Sequence, residues 1–297
     1  MRTSNPALFL TSALIWGSTW LAITYQLGVV PPEISVAYRF ALASACLVLW
    51  CVISGAPLRF SWRDHAFLAA FGATLFGLNY IAVYWAEQYV ASGLVAIVFS
   101  TIVFMNPIGA RFAFGVPLTV RTLVAAALGV AGIALLFLPE LDAARHGGTA
   151  ALGIVFAFAG TVIATVGNLI AVRNHNAGLP TFPATAWGMA YGTLTAVLAA
   201  AATGVPWTFD ARLPYVASLL YLALFGSVVA FGAYLTLLKR IGAGPAAFVN
   251  VIVPIVALLL STLFEGYRWT WVAGLGVMLA VIGNWLALMP PRKVTPP

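Results

Sequence analysis

The chain has 297 residues, 63% hydrophobic and 7% charged, against roughly 25% charged residues in an ordinary soluble domain, which excludes water as its main solvent. A net charge of +7 would point to nucleic acid in a soluble protein, but here the cations are sorted between the two ends of apolar segments, so no nucleic-acid partner is expected. Cys46 and Cys51 sit five apart in one apolar segment and so on different faces of a helix, while His65, His146 and His175 fall in expected connections without ligand spacing, so neither a disulfide nor a metal site is expected.

Apolar stretches of about 20 residues, each long enough to cross a hydrocarbon core as a helix, recur at 5 to 27, 34 to 54, 65 to 87, 91 to 113, 119 to 138, 150 to 173, 181 to 203, 214 to 238, 244 to 264 and 270 to 289. They are continuous rather than alternating, which favours helices over a barrel. The expected fold is an all-α membrane protein of ten transmembrane helices. The first run follows Arg2 and is too long for a signal-peptide core, so it is expected to stay in the mature protein.

In the first span, "ALIWGSTW" (13 to 20) puts Trp16 and Trp20 about 40° apart on one face. Gly17 allows a helix to approach, and Trp16, the deeper of the two, is a candidate cavity wall unless it faces lipid. Arg39 in the second span and Glu87 at the end of the third lie toward one side of the membrane, and both are expected to snorkel to the interface. The third span carries "NYIAVYWAEQY" (79 to 89), where Tyr80, Tyr84 and Glu87 share a face with Asn79 beside it. In the fourth, Ala96, Ser100, Val103, Pro107 and Ala110 share a face.

The sixth span has Gly153, Gly160 and Gly167 every seven residues, a packing stripe, and a polar stripe of Thr161, Thr165 and Asn168. The eighth offers Ser227, Phe231 and Tyr234 at helical spacing. In the ninth, Ala243, Ala247, Asn250, Pro254, Ala257 and Ser261 share a face, and the tenth carries Gly276 and Gly283. Ser100 and Asn250 suit a cavity between two halves, although small faces also serve to pack helices. Pro107 and Pro254 each remove a backbone hydrogen bond and are expected to bend their helices. Tyr89, Trp207, Trp269 and Trp271 read as interfacial belt residues.

All seven carboxylates fall at span ends or in connections, so recognition is expected from neutral and aromatic groups. No G-x-x-x-x-G-K-[ST] loop for ATP, no H-E-x-x-H and no intramembrane catalytic cluster occur. No enzyme activity, catalytic residue or cofactor is expected. Ten cations on one side against four on the other place both termini in the cytoplasm.

The spans divide into two fives around "PELDAARHGG" (139 to 148), giving domains 1–145 and 146–297. Five is odd, so a tandem copy enters the membrane from the opposite side and the repeat is inverted. "LGVAGIALLFLPE" (128 to 140) resembles "LAVIGNWLALMPP" (279 to 291), with Gly132 matching Gly283 and Pro139 matching Pro290.

"WGSTW" (16 to 20), a proline turn followed by "AYRF" (37 to 40), the two fivefold repeats and "LFEGYRWTWVAGLGVMLAVIG" (263 to 283) together resemble the drug/metabolite transporter superfamily, EamA type. Glu265 precedes Gly274 by nine residues, as that family tends to have it; "FAFG" (112 to 115) departs from the pattern in the first half. The resemblance implies an alternating-access fold with a central cavity, in the inner membrane of a bacterium, and is greatest to exporters of aromatic and neutral amino acids. The expected function is a secondary transporter or facilitator of such solutes. Its expected substrate-binding residues are Trp16, Asn79, Tyr80, Tyr84, Ser100, Asn168, Tyr234 and Asn250. The alternative keeps the fold and carries other metabolites or drugs.

Overall fold

The computed structural model describes residues 4–136, 138, 149–241, 246 and 248–288. Among these residues every regular element is helical. Helix α1 spans Asn5–Thr24, α2 Pro32–Ile53, α3 Trp62–Ala86, α4 Ser92–Phe114, α5 Val120–Leu136, α6 Ala150–Asn176 and α7 Thr181–Thr203. Helix α8 joins Leu213–Leu220, a π-helical stretch Tyr221–Val229 and Ala230–Ile241; α9 is Val249–Phe264 and α10 Trp271–Leu288. Among the described residues seven helices, α1 to α4, α6, α8 and α10, are long and apolar enough to cross a membrane, and α5 and α9 are shorter apolar helices. The loop 139–148, Ala243, Ala247, and the chain ends with Arg2, Pro290, Arg292 and Lys293 lie outside the described residues.

Local chemistry decides several boundaries. The Ser61 hydroxyl accepts from the Asp64 N–H and starts α3 early. His65 therefore lies in the first turn of a helix. Gly178, at φ 79°, ends α6, which puts His175 in its last turn. Both histidines were expected in connections; a cap on one and a left-handed glycine on the other extend the helices beyond their apolar runs. The fourth helix breaks at Thr101, ahead of Pro107, whereas α9 runs on through Pro254.

Large apolar side chains such as Leu14, Leu49, Val155, Leu198 and Leu259 stand exposed along the outer faces, as a lipid solvent requires. Between helices in lipid there is no hydrophobic driving force, so association rests on close backbone approach. Glycines supply it. A Cβ on Gly132 or on Gly276 would lie 2.6 Å from the other's carbonyl oxygen, which fixes α5 on α10. The stripe Gly153, Gly160 and Gly167 receives α3 and the turn after it, and Gly17 receives Val256 of α9.

The main helix pairs are α2 with α7, α4 with α9 and α5 with α10, together with three matched sets: α1 on α9 and α6 on α4; α1 on α8 and α6 on α3; α2 on α8 and α7 on α3. Replacing each helix by the one five further along returns the same main pairs. Lesser contacts, of α4 with α1 and α10 and of α2 with α3, break the match. Both α3 and α8 contain a π-helical stretch, Ala73–Leu78 and Tyr221–Val229. Each holds the tripeptide Leu-Phe-Gly, at 75 to 77 and 224 to 226.

Leucine at Gly132 should force α5 and α10 apart at a cost of about 1 to 3 kcal/mol and lower the thermal midpoint of the detergent-solubilised protein. Gly274 has open space around it, and Gly274→Ala should leave the midpoint unchanged or raised. Equal effects of the two substitutions would contradict the close α5–α10 contact.

Candidate functional site

Seven residues after Pro32, about 10 Å along the axis of α2, Arg39 is 2% exposed. Its guanidinium carbon lies 4.6 Å from the Tyr80 ring centre and 5.2 Å from that of Phe40. These two rings meet edge to face at 4.7 Å. The Arg39 Nε and Nη1 groups have no hydrogen-bond partner. Toward α8 the space is opened by Gly226, where a Cβ would lie 3.6 Å from Arg39 Nη2 and 2.9 Å from Thr19 Cγ2.

The π-helical turn in α8 displaces carbonyls from regular helical bonding, and side chains take them up. Trp16 Nε1 donates to the Gly226 carbonyl at 3.1 Å, and Ser227 Oγ donates to that of Leu222 at 3.0 Å. The Trp16 indole meets Phe231 at 5.1 Å and Tyr234 at 5.2 Å. Trp20 turns to Phe99 of α4, 5.4 Å away. Arg39 and Trp16 thus both approach one backbone segment, at Gly226.

Beyond Tyr80 on the same face of α3, the fully buried Tyr84 donates to Gln26 Oε1 at 2.8 Å. Gln26, 1% exposed, keeps its Nε2 unpartnered, and Glu87, 7% exposed, keeps both carboxylate oxygens unpartnered. Both Tyr84 and Glu87 lie within electrostatic reach of Arg39. Neither Arg39 nor Glu87 snorkels, contrary to the expectation from their places near span ends. The helices meet around them, so a side chain directed at the bundle axis has no path to the interface.

At the same end, Glu265 of the α9 terminus caps α4. Its carboxylate accepts from the Ser92 N–H at 3.1 Å, from the Ser92 hydroxyl at 2.6 Å and from the Ser261 hydroxyl, while Ser261 Oγ accepts from the Gly93 N–H at 2.8 Å. These bonds satisfy amide groups left free at a helix start. In the connection before α8, Arg212 forks onto Asp210 with contacts of 2.6 to 2.9 Å and holds that carboxyl below the usual carboxylate range.

The remaining expected residues are more scattered. Ser100 accepts from Asn284 Nδ2 at 2.9 Å, beside a void of about 10 Å³ between α4, α9 and α10 that Pro254 also lines. Asn168 donates to Asn106 at 3.3 Å, and Asn79 donates to the Leu75 carbonyl at 3.0 Å while its Oδ1 stays unpartnered. Asn250 lies half-buried on α9. The structure therefore brings Trp16 to Tyr234, lines Tyr80 up with Tyr84, and sends Ser100 to α10. Gln26, Asn106 and Asn284 were not singled out by the sequence, and Arg39 was singled out but assigned to the interface. For Arg39 a signal existed: about 10 Å of helix separates it from the start of α2, deep for a snorkelling residue.

A family model described as the EamA-like transporter family matches residues 5–138 and 151–289. The chain is 24% identical to protein PagO of Salmonella typhimurium over 97% of its own length and 94% of that protein's. It is 23% identical to a probable amino-acid metabolite efflux pump of Escherichia coli, over 96% and 95% of the two chains. It is 28% identical to the uncharacterized inner membrane transporter YedA of Escherichia coli, over 96% and 92%. A solved crystal structure shares the fold, with a TM-score of 0.64 at 20% identity over 97% of each chain.

Removing the Glu265 carboxylate should strip the α4 start of its acceptors at about 1 to 3 kcal/mol. Glu265→Ala is then expected to lower the thermal midpoint and Glu265→Gln to lower it less. An unchanged midpoint for Glu265→Ala would show that water replaces the cap.

Proposed function

The chain belongs to the EamA-like transporter family, and from that membership we propose that it exports neutral, chiefly aromatic, amino acids by alternating access. It is a multi-pass membrane transporter and not an enzyme. In our reading α1 to α10 all cross the bilayer, as two inverted five-helix repeats, 1–145 and 146–297, with both termini in the cytoplasm. The matched main helix pairs and the paired π-helical stretches support a pseudo-twofold arrangement. Inverted repeats with discontinuous helices are a common build for carriers.

The observation that carries the substrate reading is a pair of aromatic groups, Trp16 with Phe231 and Tyr234 beside Gly226, and Phe40 with Tyr80 beside Arg39. Flat apolar rings at membrane depth suit an aromatic side chain, which they contact edge-on or offset. One relative is named a probable amino-acid metabolite efflux pump, which agrees with this reading. Trp16, Tyr80, Tyr84 and Tyr234 wall the substrate. Asn79, Ser100, Asn168 and Asn250 supply neutral hydrogen bonds during the cycle, and Pro107 and Pro254 give α4 and α9 their freedom to bend.

Proteoliposomes should take up radiolabelled L-phenylalanine saturably and stereoselectively. Unlabelled neutral amino acids should compete, and sugars, nucleosides and organic cations should not. Tyr80→Ala and Asn250→Ala should each lower sub-saturating uptake roughly tenfold, equivalent to ~1.4 kcal/mol, at normal expression. No uptake by folded protein in sealed vesicles would overturn the substrate reading, and full uptake by both variants would overturn the residue assignment.

A further inference from the structure

Three buried polar side chains near one end of α3 hold groups with no partner: Nε and Nη1 of Arg39, Nε2 of Gln26 and both carboxylate oxygens of Glu87. They are not scattered. Arg39 lies over Tyr80, Tyr84 bonds Gln26, and Glu87 follows on the same face of the helix. Steps of four and three residues place Tyr80, Tyr84 and Glu87 in one row. Arg39 and Glu87 therefore lie at the two ends of a short row, both dry, and are not joined in an ion pair among the described residues.

Buried polar groups that do not pair with each other need partners from elsewhere. Glu265, the other acid in reach of Glu87, is occupied by Ser92 and Ser261. Water could fill the gap, but a zwitterion fills it with matched chemistry, offering a carboxylate to the guanidinium and an ammonium to the carboxylate. We propose that Arg39 and Glu87 form the head-group site of this carrier, Arg39 binding the carboxylate and Glu87 the ammonium of an α-amino acid. Gln26 and Tyr84 sit between them as neutral contacts. This rests on the reading of the protein as an amino-acid carrier and adds the groups that recognise the backbone of the substrate, which the aromatic surfaces around Trp16 and Tyr80 leave unassigned. The Arg39 Nη2 edge lies next to Gly226, whose carbonyl holds Trp16, so the head-group and aromatic parts of the site adjoin.

The test is competition against labelled L-phenylalanine in proteoliposomes. Phenethylamine lacks the carboxylate, and phenylpropionate lacks the ammonium. Wild-type protein should prefer phenylalanine to each by at least roughly a hundredfold, because a desolvated polar site rejects analogues that leave it unpaired. Arg39→Gln should abolish the preference over phenethylamine, and Glu87→Gln the preference over phenylpropionate. If Arg39→Gln is not monodisperse, Arg39→Lys replaces it and should keep a reduced preference, since an ammonium lacks the planar fork. Wild-type protein that takes up both analogues as well as phenylalanine would overturn the proposal without any variant. So would variants that slow all substrates equally and keep the wild-type ratios, as gating residues would. If phenylalanine is not carried, the same analogue pairs built on L-leucine are used: discrimination lost with Arg39 sustains the head-group site while the aromatic reading falls. Failure of every α-amino acid overturns both.

Discussion

A guanidinium held dry inside a lipid-facing bundle is the constraint around which this structure is arranged. A charged residue at membrane depth costs roughly 2.5 to 3.5 kcal/mol even by lenient scales. Stacking on Tyr80 and Phe40 offsets about 2 kcal/mol of that. Rings accept no conventional hydrogen bond, however, and each unpaired buried N–H costs about 1 to 3 kcal/mol more. The arrangement is therefore unfavourable as it stands. That is what a binding site needs, since strain relieved by a ligand becomes affinity for it.

Helices α1, α2, α3 and α8 contribute to this region, and the elements that contribute most directly are irregular. The π-helical stretches of α3 and α8 widen the local turn and displace carbonyls, which Trp16, Ser227 and Asn79 then bind. Gly226 matters twice, as the acceptor for Trp16 and as the absent side chain that leaves space for Arg39 and Thr19. Rigid contacts lie elsewhere. Glycine-mediated α5–α10 packing is tight, and the serine-glutamate bonds between α4 and α9 tie one end of the bundle. A carrier that rocks needs both kinds of contact, firm seams and a deformable centre.

The helical architecture was legible in the sequence because runs of about 20 apolar residues admit few alternatives. The glycine stripes were legible for a similar reason: period seven marks one helix face, and Gly153, Gly160 and Gly167 each have a close neighbour across it. The shared face of Tyr80 and Tyr84 was legible from spacing alone. Arg39 and Glu87 were named and then discounted, because a position near a span end does not say which way the side chain points. That depends on which helices surround it. The bonds of Asn284 to Ser100 and of Asn106 to Asn168 were illegible for the same reason, since each joins helices far apart in the chain. The recurring Leu-Phe-Gly was visible, but only the two π-helical turns give it meaning.

The central claim, that a buried Arg39 is completed by a substrate carboxylate, is met most directly by a structure of the protein with L-phenylalanine bound. The result expected is a carboxylate oxygen within about 3 Å of the Arg39 guanidinium, with the aromatic ring among Trp16, Tyr80 and Tyr234. A ligand bound elsewhere, with Arg39 Nε and Nη1 still unpartnered or the guanidinium closed onto Glu87, would contradict the account.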